Sequence, residues 1–104
     1  MLIRLGRDQQ PRLEQPEDLR SFKLVIDAGK SALAPMQAAF SKAGRIENSE
    51  TAWVSEAWLR AESPLRDDPK WLEGFGKMLE YAKSKGWVHP TDGTIRAHIE
   101  WGTS

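Results

Sequence analysis

From Asp67 to Trp87 the chain reads DDPKWLEGFGKMLEYAKSKGW, and its apolar residues return at helical period: Trp71, Leu72, Phe75, Met78, Leu79 and Ala82 form one stripe. Lys70, Glu73, Lys77, Glu80 and Lys83 fall on the other side, so one face predicts core and the opposite face water. The ends are marked as well. Asp67 or Asp68 is placed to accept from the first free N–H groups, and Pro69 suits the first helical position, where its missing donor is not needed. Lys83 and Lys85 oppose the negative end of the helix dipole, Gly86 suits a left-handed terminating residue, and Trp87 is then free to fold back onto Tyr81 or Ala82. Gly74 and Gly76 each cost about 1 kcal/mol relative to alanine inside a helix, which predicts a neighbour close to the backbone there.

No other stretch offers as much apolar area, so the remaining elements are expected to pack on this helix. Residues 1–20 read as an extended N-terminal arm: Met1 to Leu5 alternates weakly and suits a short edge strand, whereas Gly6 to Arg20 is rich in Gln and Pro and poor in apolar residues. Ser21 to Asp27 (SFKLVID) predicts a strand with Phe22, Leu24 and Ile26 on one face, and Val25 on the other suggests an interior position. A second helix begins at Ser31 or Ala34, carries Leu33, Met36, Phe40 and Ala43 inward, and ends at Gly44. Arg45 to Arg60 allows three readings. The favoured one is a strand over Thr51 to Val54 and then a short helix capped by Ser55 and stopped by Pro64; the others are one long strand and a hairpin turning at Asn48 and Ser49. Residues 87–101 predict a hairpin turning at the Asp92–Gly93 step, its last strand alternating between Ile95, Ala97, Ile99 and Trp101 on one side and Arg96, His98 and Glu100 on the other.

The element order predicts an α+β fold for residues 21–104 as a single domain: a small two-layer sandwich with a 3-4 stranded, mostly antiparallel sheet and two main helices on one face. If Arg45 to Arg60 is a hairpin, the order becomes β-α-β-β-α-β, the ferredoxin-like topology. Either arrangement leaves one sheet face uncovered, and such faces are often covered by a second copy, so a homodimer is the expected assembly.

Composition narrows the function classes. At 104 residues the chain is long enough to bury roughly two-thirds of the surface its unfolded form exposes. There is no cysteine, which excludes disulfides, thiol nucleophiles and cysteine-bound metals and fits a reducing, cytoplasmic setting. Fifteen basic residues balance fifteen acidic ones, so no global field favours nucleic acid or an anionic membrane. The N-terminus lacks the pattern of a signal peptide and no run approaches the length of a membrane span, so a soluble protein is expected. Five Trp residues are many for this length, and Trp serves both small cores and binding surfaces.

No complete catalytic constellation is present. Gly29, Lys30 and Ser31 sit between a strand and a helix as the end of a phosphate-binding loop does, but that pattern needs a glycine where Leu24 stands. His98 and Glu100 share a strand face with Arg96, the arrangement a carboxylate-supported general base requires, although alternating charge is also the ordinary signature of a wet sheet face. His89 lies in the turn before Pro90. With Asp27 or Glu100 the two histidines offer metal-ligating groups but no paired spacing, so no metal and no cofactor is expected. Asp27, at a strand end, suits either a ligand or a helix cap.

The leading expectation is therefore a small binding protein. A Trp-rich surface or pocket drawn from Trp53, Trp58 and Trp101, with Asp27 and His89, would hold an apolar or aromatic small molecule or a protein partner. The alternative is a cofactor-free enzyme of isomerase, lyase or oxygenase type, with acid–base chemistry at His98, Glu100 and Arg96.

Overall fold

A computed structural model describes residues 1–102; Thr103 and Ser104, the last positions of the expected 21–104 domain, lie outside the described residues. Along these residues run β1 (Leu2–Leu5), β2 (Pro11–Glu14), β3 (Lys23–Ile26), α1 (Leu33–Ala39, flanked by 3-10 turns at Lys30–Ala32 and Phe40–Lys42), β4 (Gly44–Ile46), β5 (Thr51–Val54), α2 (Glu56–Glu62), α3 (Pro69–Ser84) and β6 (Ile95–Trp101). The strands form one sheet in the order β2-β1-β3-β6-β5-β4. β1 with β3 and β3 with β6 are parallel, and the other neighbours are antiparallel.

This corrects the expected fold. The class is α+β, but the sheet is six-stranded and mixed, curled into a half-barrel with three helices, rather than a 3-4 stranded antiparallel sandwich or its ferredoxin-like variant. Two segments account for the difference. The stretch read as an arm supplies β1 and β2, joined by a turn in which Gln9 takes a left-handed conformation (φ 62°). Arg45 to Arg60 is not one long strand but combines the other two readings: β4 and β5 form a hairpin, and α2 follows it, with Ser55 Oγ accepting from the Trp58 N–H. Gly44 also changes role: the helix runs on into a 3-10 turn, and Gly44 opens β4 instead of closing the helix.

The core lies where the stripe of α3 meets the sheet. Ile3 and Leu5 of β1, Leu24 and Ile26 of β3, Ala52 and Val54 of β5, and Ile95, Ala97 and Ile99 of β6 are all buried on one sheet face. Against them lie Met36 and Phe40, Leu59 of α2, and Trp71, Phe75 and Ala82 of α3. The other face is polar. There Arg4 ties β1 to both neighbours, its Nε donating to Glu14 at 3.0 Å and its Nη1 to Asp27 at 2.9 Å, while Lys23 pairs with Glu100 at 3.2 Å. These half-exposed pairs fix register more than they stabilise, each contributing about 1 kcal/mol or less.

The caps of α3 match the sequence. Asp68 accepts from the Lys70 N–H at 2.9 Å, Pro69 is the first helical residue, Gly86 has φ +76°, and the Trp87 N–H donates to the Ala82 carbonyl at 2.9 Å. The two internal glycines divide. A Cβ on Gly74 would come 2.5 Å from the Leu19 Cδ1, so a neighbour does approach there, whereas one on Gly76 would meet nothing within 4 Å. Gly76→Ala is therefore expected to raise stability by about 0.5–1 kcal/mol, measured by urea unfolding, because alanine removes backbone freedom from the unfolded chain at no steric cost. A neutral or destabilising result would mean that the helix is distorted at this turn.

Candidate functional site

β6 begins at Ile95, but its parallel neighbour β3 begins only at Lys23, opposite His98. The first residues of β6 thus extend past the end of β3, and the chain ahead of Lys23 borders the gap. Two cavities open here. The outer, about 360 Å³, is lined by Phe22, Glu50, Thr51, Trp87, Arg96 and His98. The inner, about 270 Å³, reaches under the loop at Leu19–Phe22 to Met78, Tyr81 and Ala82 of α3. Phe22, Trp87 and Arg96 border both, so the two form one groove running around the start of β6.

Each wall is placed by local chemistry. Asp18 holds the loop: its carboxylate accepts from the Arg20 N–H and the Ser21 hydroxyl, both at 3.1 Å, and these bonds, led by the Arg20 amide, keep its carboxyl below the usual carboxylate range. The same loop is pinned to α3 where the Trp71 indole N–H donates to the Pro16 carbonyl at 2.7 Å. Trp87 is turned by Gly86 and stands edge-on to Tyr81, with ring centres 5.8 Å apart, yet it remains 40% exposed. Opposite it, Phe22 is half-buried. Arg96 and His98 rise from β6, and the Arg96 N–H donates to the Trp87 carbonyl at 2.7 Å, fixing the two floor-to-wall.

The residues singled out from sequence divide among several places. Arg96 and His98 share the groove. Glu100 does not join them: its carboxylate accepts from Lys23 at 3.2 and 3.3 Å, and no hydrogen bond links it to His98 among the described residues. The carboxylate that lines the groove with His98 is Glu50. Trp53 and His89 meet edge-to-face at 5.1 Å beyond the groove, where Arg45 lies over the Trp53 ring and pairs with Asp92 at 2.7 Å. Asp92 also accepts from the Thr94 hydroxyl at 2.7 Å and the Thr94 N–H at 3.0 Å; these bonds, the hydroxyl foremost, and then Arg45 hold its carboxyl well below the usual range. His89 Nδ1 lies 3.2 Å from the Thr91 N–H nitrogen and 3.5 Å from an Asp92 carboxylate oxygen. This cluster is closed on itself.

Trp58 packs on the core from α2, and Trp101 does so from β6 with its indole N–H donating to the Ser49 carbonyl at 2.6 Å. Asp27 pairs with Arg4 and caps no helix. No group of three or more His, Asp or Glu placed to hold a metal exists among the described residues. Among them, too, no helix is long and apolar enough to cross a membrane.

Sequence reasoning did not assemble Phe22, Trp87, Arg20, Glu50 and Thr51 into a site. Phe22 shares strand parity with Leu24 and Ile26, which marks it as core, and Trp87 reads as the staple of a helix end. Phe22 does pack against the core and Trp87 does close the helix end on Ala82 and Tyr81, and their other edges form the groove. No family model, curated protein or solved structure matches this chain.

Proposed function

We propose that this is a binding protein that holds an apolar or aromatic small molecule in the groove between Phe22 and Trp87. One observation carries the reading: the cavities of about 360 and 270 Å³ join at two aromatic side chains, and the outer alone falls within the size range of small-ligand sites. An indole and a phenyl ring offer broad apolar area with few rotamers to freeze, so a flat molecule gains contact there at low entropic cost. The uncovered sheet face is a weaker candidate for binding, because Arg4, Glu14, Asp27, Lys23 and Glu100 are already paired with one another and would have to lose water to be covered.

A titration with the neutral aromatic 2-naphthamide, followed by backbone amide NMR, tests the reading. Shifts are expected at residues 19–22, 78–82, 87 and 95–98, and Trp87→Ala is expected to weaken binding about tenfold by removing one wall. No shift with either 2-naphthamide or its acid, 2-naphthoate, at millimolar concentration, or shifts elsewhere that Trp87→Ala leaves unchanged, would rule the groove out.

A further inference from the structure

We infer that the ligand of this groove is an aromatic monocarboxylate, its ring between Phe22 and Trp87 and its anion on the guanidinium of Arg96, with Arg20 beside it. The inference rests on the groove being the binding site. The chain has eight arginines, and the fold gives six of them an acceptor. Arg4 takes Glu14 and Asp27, Arg12 takes Asp8, Arg45 takes Asp92, and Arg60 takes Glu56. Arg7 donates to the Asp27 carbonyl and Arg66 to that of Ser63. Only Arg20 and Arg96 make no side-chain hydrogen bond or ion pair among the described residues, and both line the inner part of the same groove.

This convergence is local. The chain as a whole carries no net charge, yet the inner cavity has two guanidinium groups and no carboxylate on its wall, with Asp18, next to Arg20 in the loop, the acid that tempers its field. A guanidinium presents a planar fork of N–H donors that matches the two oxygens of a carboxylate, so the pair is directional even though both arginines reach solvent. Glu50 sets the polarity of the other end. It borders the outer cavity beside His98 and opposes a second negative group there, which selects a monoanion over a dianion.

Calorimetric titration of the full chain with 2-naphthoate, its neutral counterpart 2-naphthamide and naphthalene-2,6-dicarboxylate reads this directly. 2-Naphthoate is expected to bind at least about tenfold tighter than the amide and tighter than the dicarboxylate, with added salt weakening the two acids but not the amide. Arg96→Gln is expected to remove the preference for the acid over the amide, and Arg20→Gln, on a separate exposed loop, to reduce the same preference. Equal binding of acid and amide, or a preference that survives both substitutions, would overturn the monocarboxylate and leave the groove standing. Absence of binding by all three compounds would overturn the groove as well. Circular dichroism of each variant separates loss of an anion contact from loss of fold.

Discussion

Phe75→Ala is expected to lower the stability of this protein by about 3–5 kcal/mol, the range for truncating a buried aromatic side chain. Phe75 is fully buried at the middle of the α3 stripe. Its ring stacks on Trp71 with centres 4.9 Å apart and planes 14° from parallel, and the guanidinium of Arg60 lies over it at 4.9 Å. Truncation therefore leaves a cavity, strips Trp71 of its stacking partner and takes from Arg60 the ring its charge rests on. For a domain of this length the loss corresponds to a fall in Tm of roughly 15–30 °C. Urea unfolding of Phe75→Ala beside Phe75→Leu checks it: leucine refills part of the volume and is expected to recover well over a third of the loss. A deficit below about 1 kcal/mol for alanine would mean that α3 is not the platform on which the sheet rests.

That platform is the part of the molecule most legible in the sequence, for a physical reason. Cap, first-turn proline, stripe and terminating glycine all act within one or two turns of each other, so the chain from Asp68 to Trp87 specifies its helix without help. Ser55 and the short helix behind it are legible on the same ground. Strand pairing is not local. Leu2 finds Lys23, and Lys23 finds His98, in parallel register across long separations that no short pattern records. β2 is weaker still. The segment PRLE has one large apolar residue and begins with Pro, and it becomes a strand because β1 offers an edge and Glu14 reaches Arg4. Its turn places Gln9 at positive φ, where neither Gly nor Asn announces it.

The groove was hidden by the same nonlocality. Arg96 and His98 were visible as an alternating polar face, but the groove exists because β3 starts three residues later than β6 in their shared register. That offset is a property of two strands far apart in the chain. Trp53, Trp58 and Trp101 stand out in the sequence as indoles, yet two of them pack on the core and the third closes a cluster with His89. Trp87, read as a helix staple, is the tryptophan the fold leaves 40% exposed beside a cavity. Exposure of an aromatic residue depends on what the rest of the chain covers, and the residue itself carries no mark of it.

Gly44→Ala is expected to cost at least about 3 kcal/mol, far more than an alanine at a glycine that only needs its backbone angle. Gly44 has φ +153° and pairs with Val54 at the outer edge of the sheet. A Cβ there would overlap the Trp53 carbonyl oxygen and lie 3.0 Å from both the Trp53 carbonyl carbon and the Val54 Cα. All three are main-chain atoms of β5, so no side-chain rotation relieves the collision; β4 must move away from β5. The Ser55 N–H, which donates to the Ala43 carbonyl at 2.7 Å, is strained by the same shift, and Phe40, Ala43 and Ile46 are drawn off the core. Gly86→Ala is the control. Gly86 also has positive φ (+76°), but a Cβ there meets nothing within 4 Å, so only the left-handed strain of about 1–2 kcal/mol is charged. The difference between the two variants in urea unfolding isolates the collision. Equal losses would mean that β4 does not sit against β5 in this register, and hydrogen exchange at Arg45 and Trp53 would then show the edge pair open in the native protein as well.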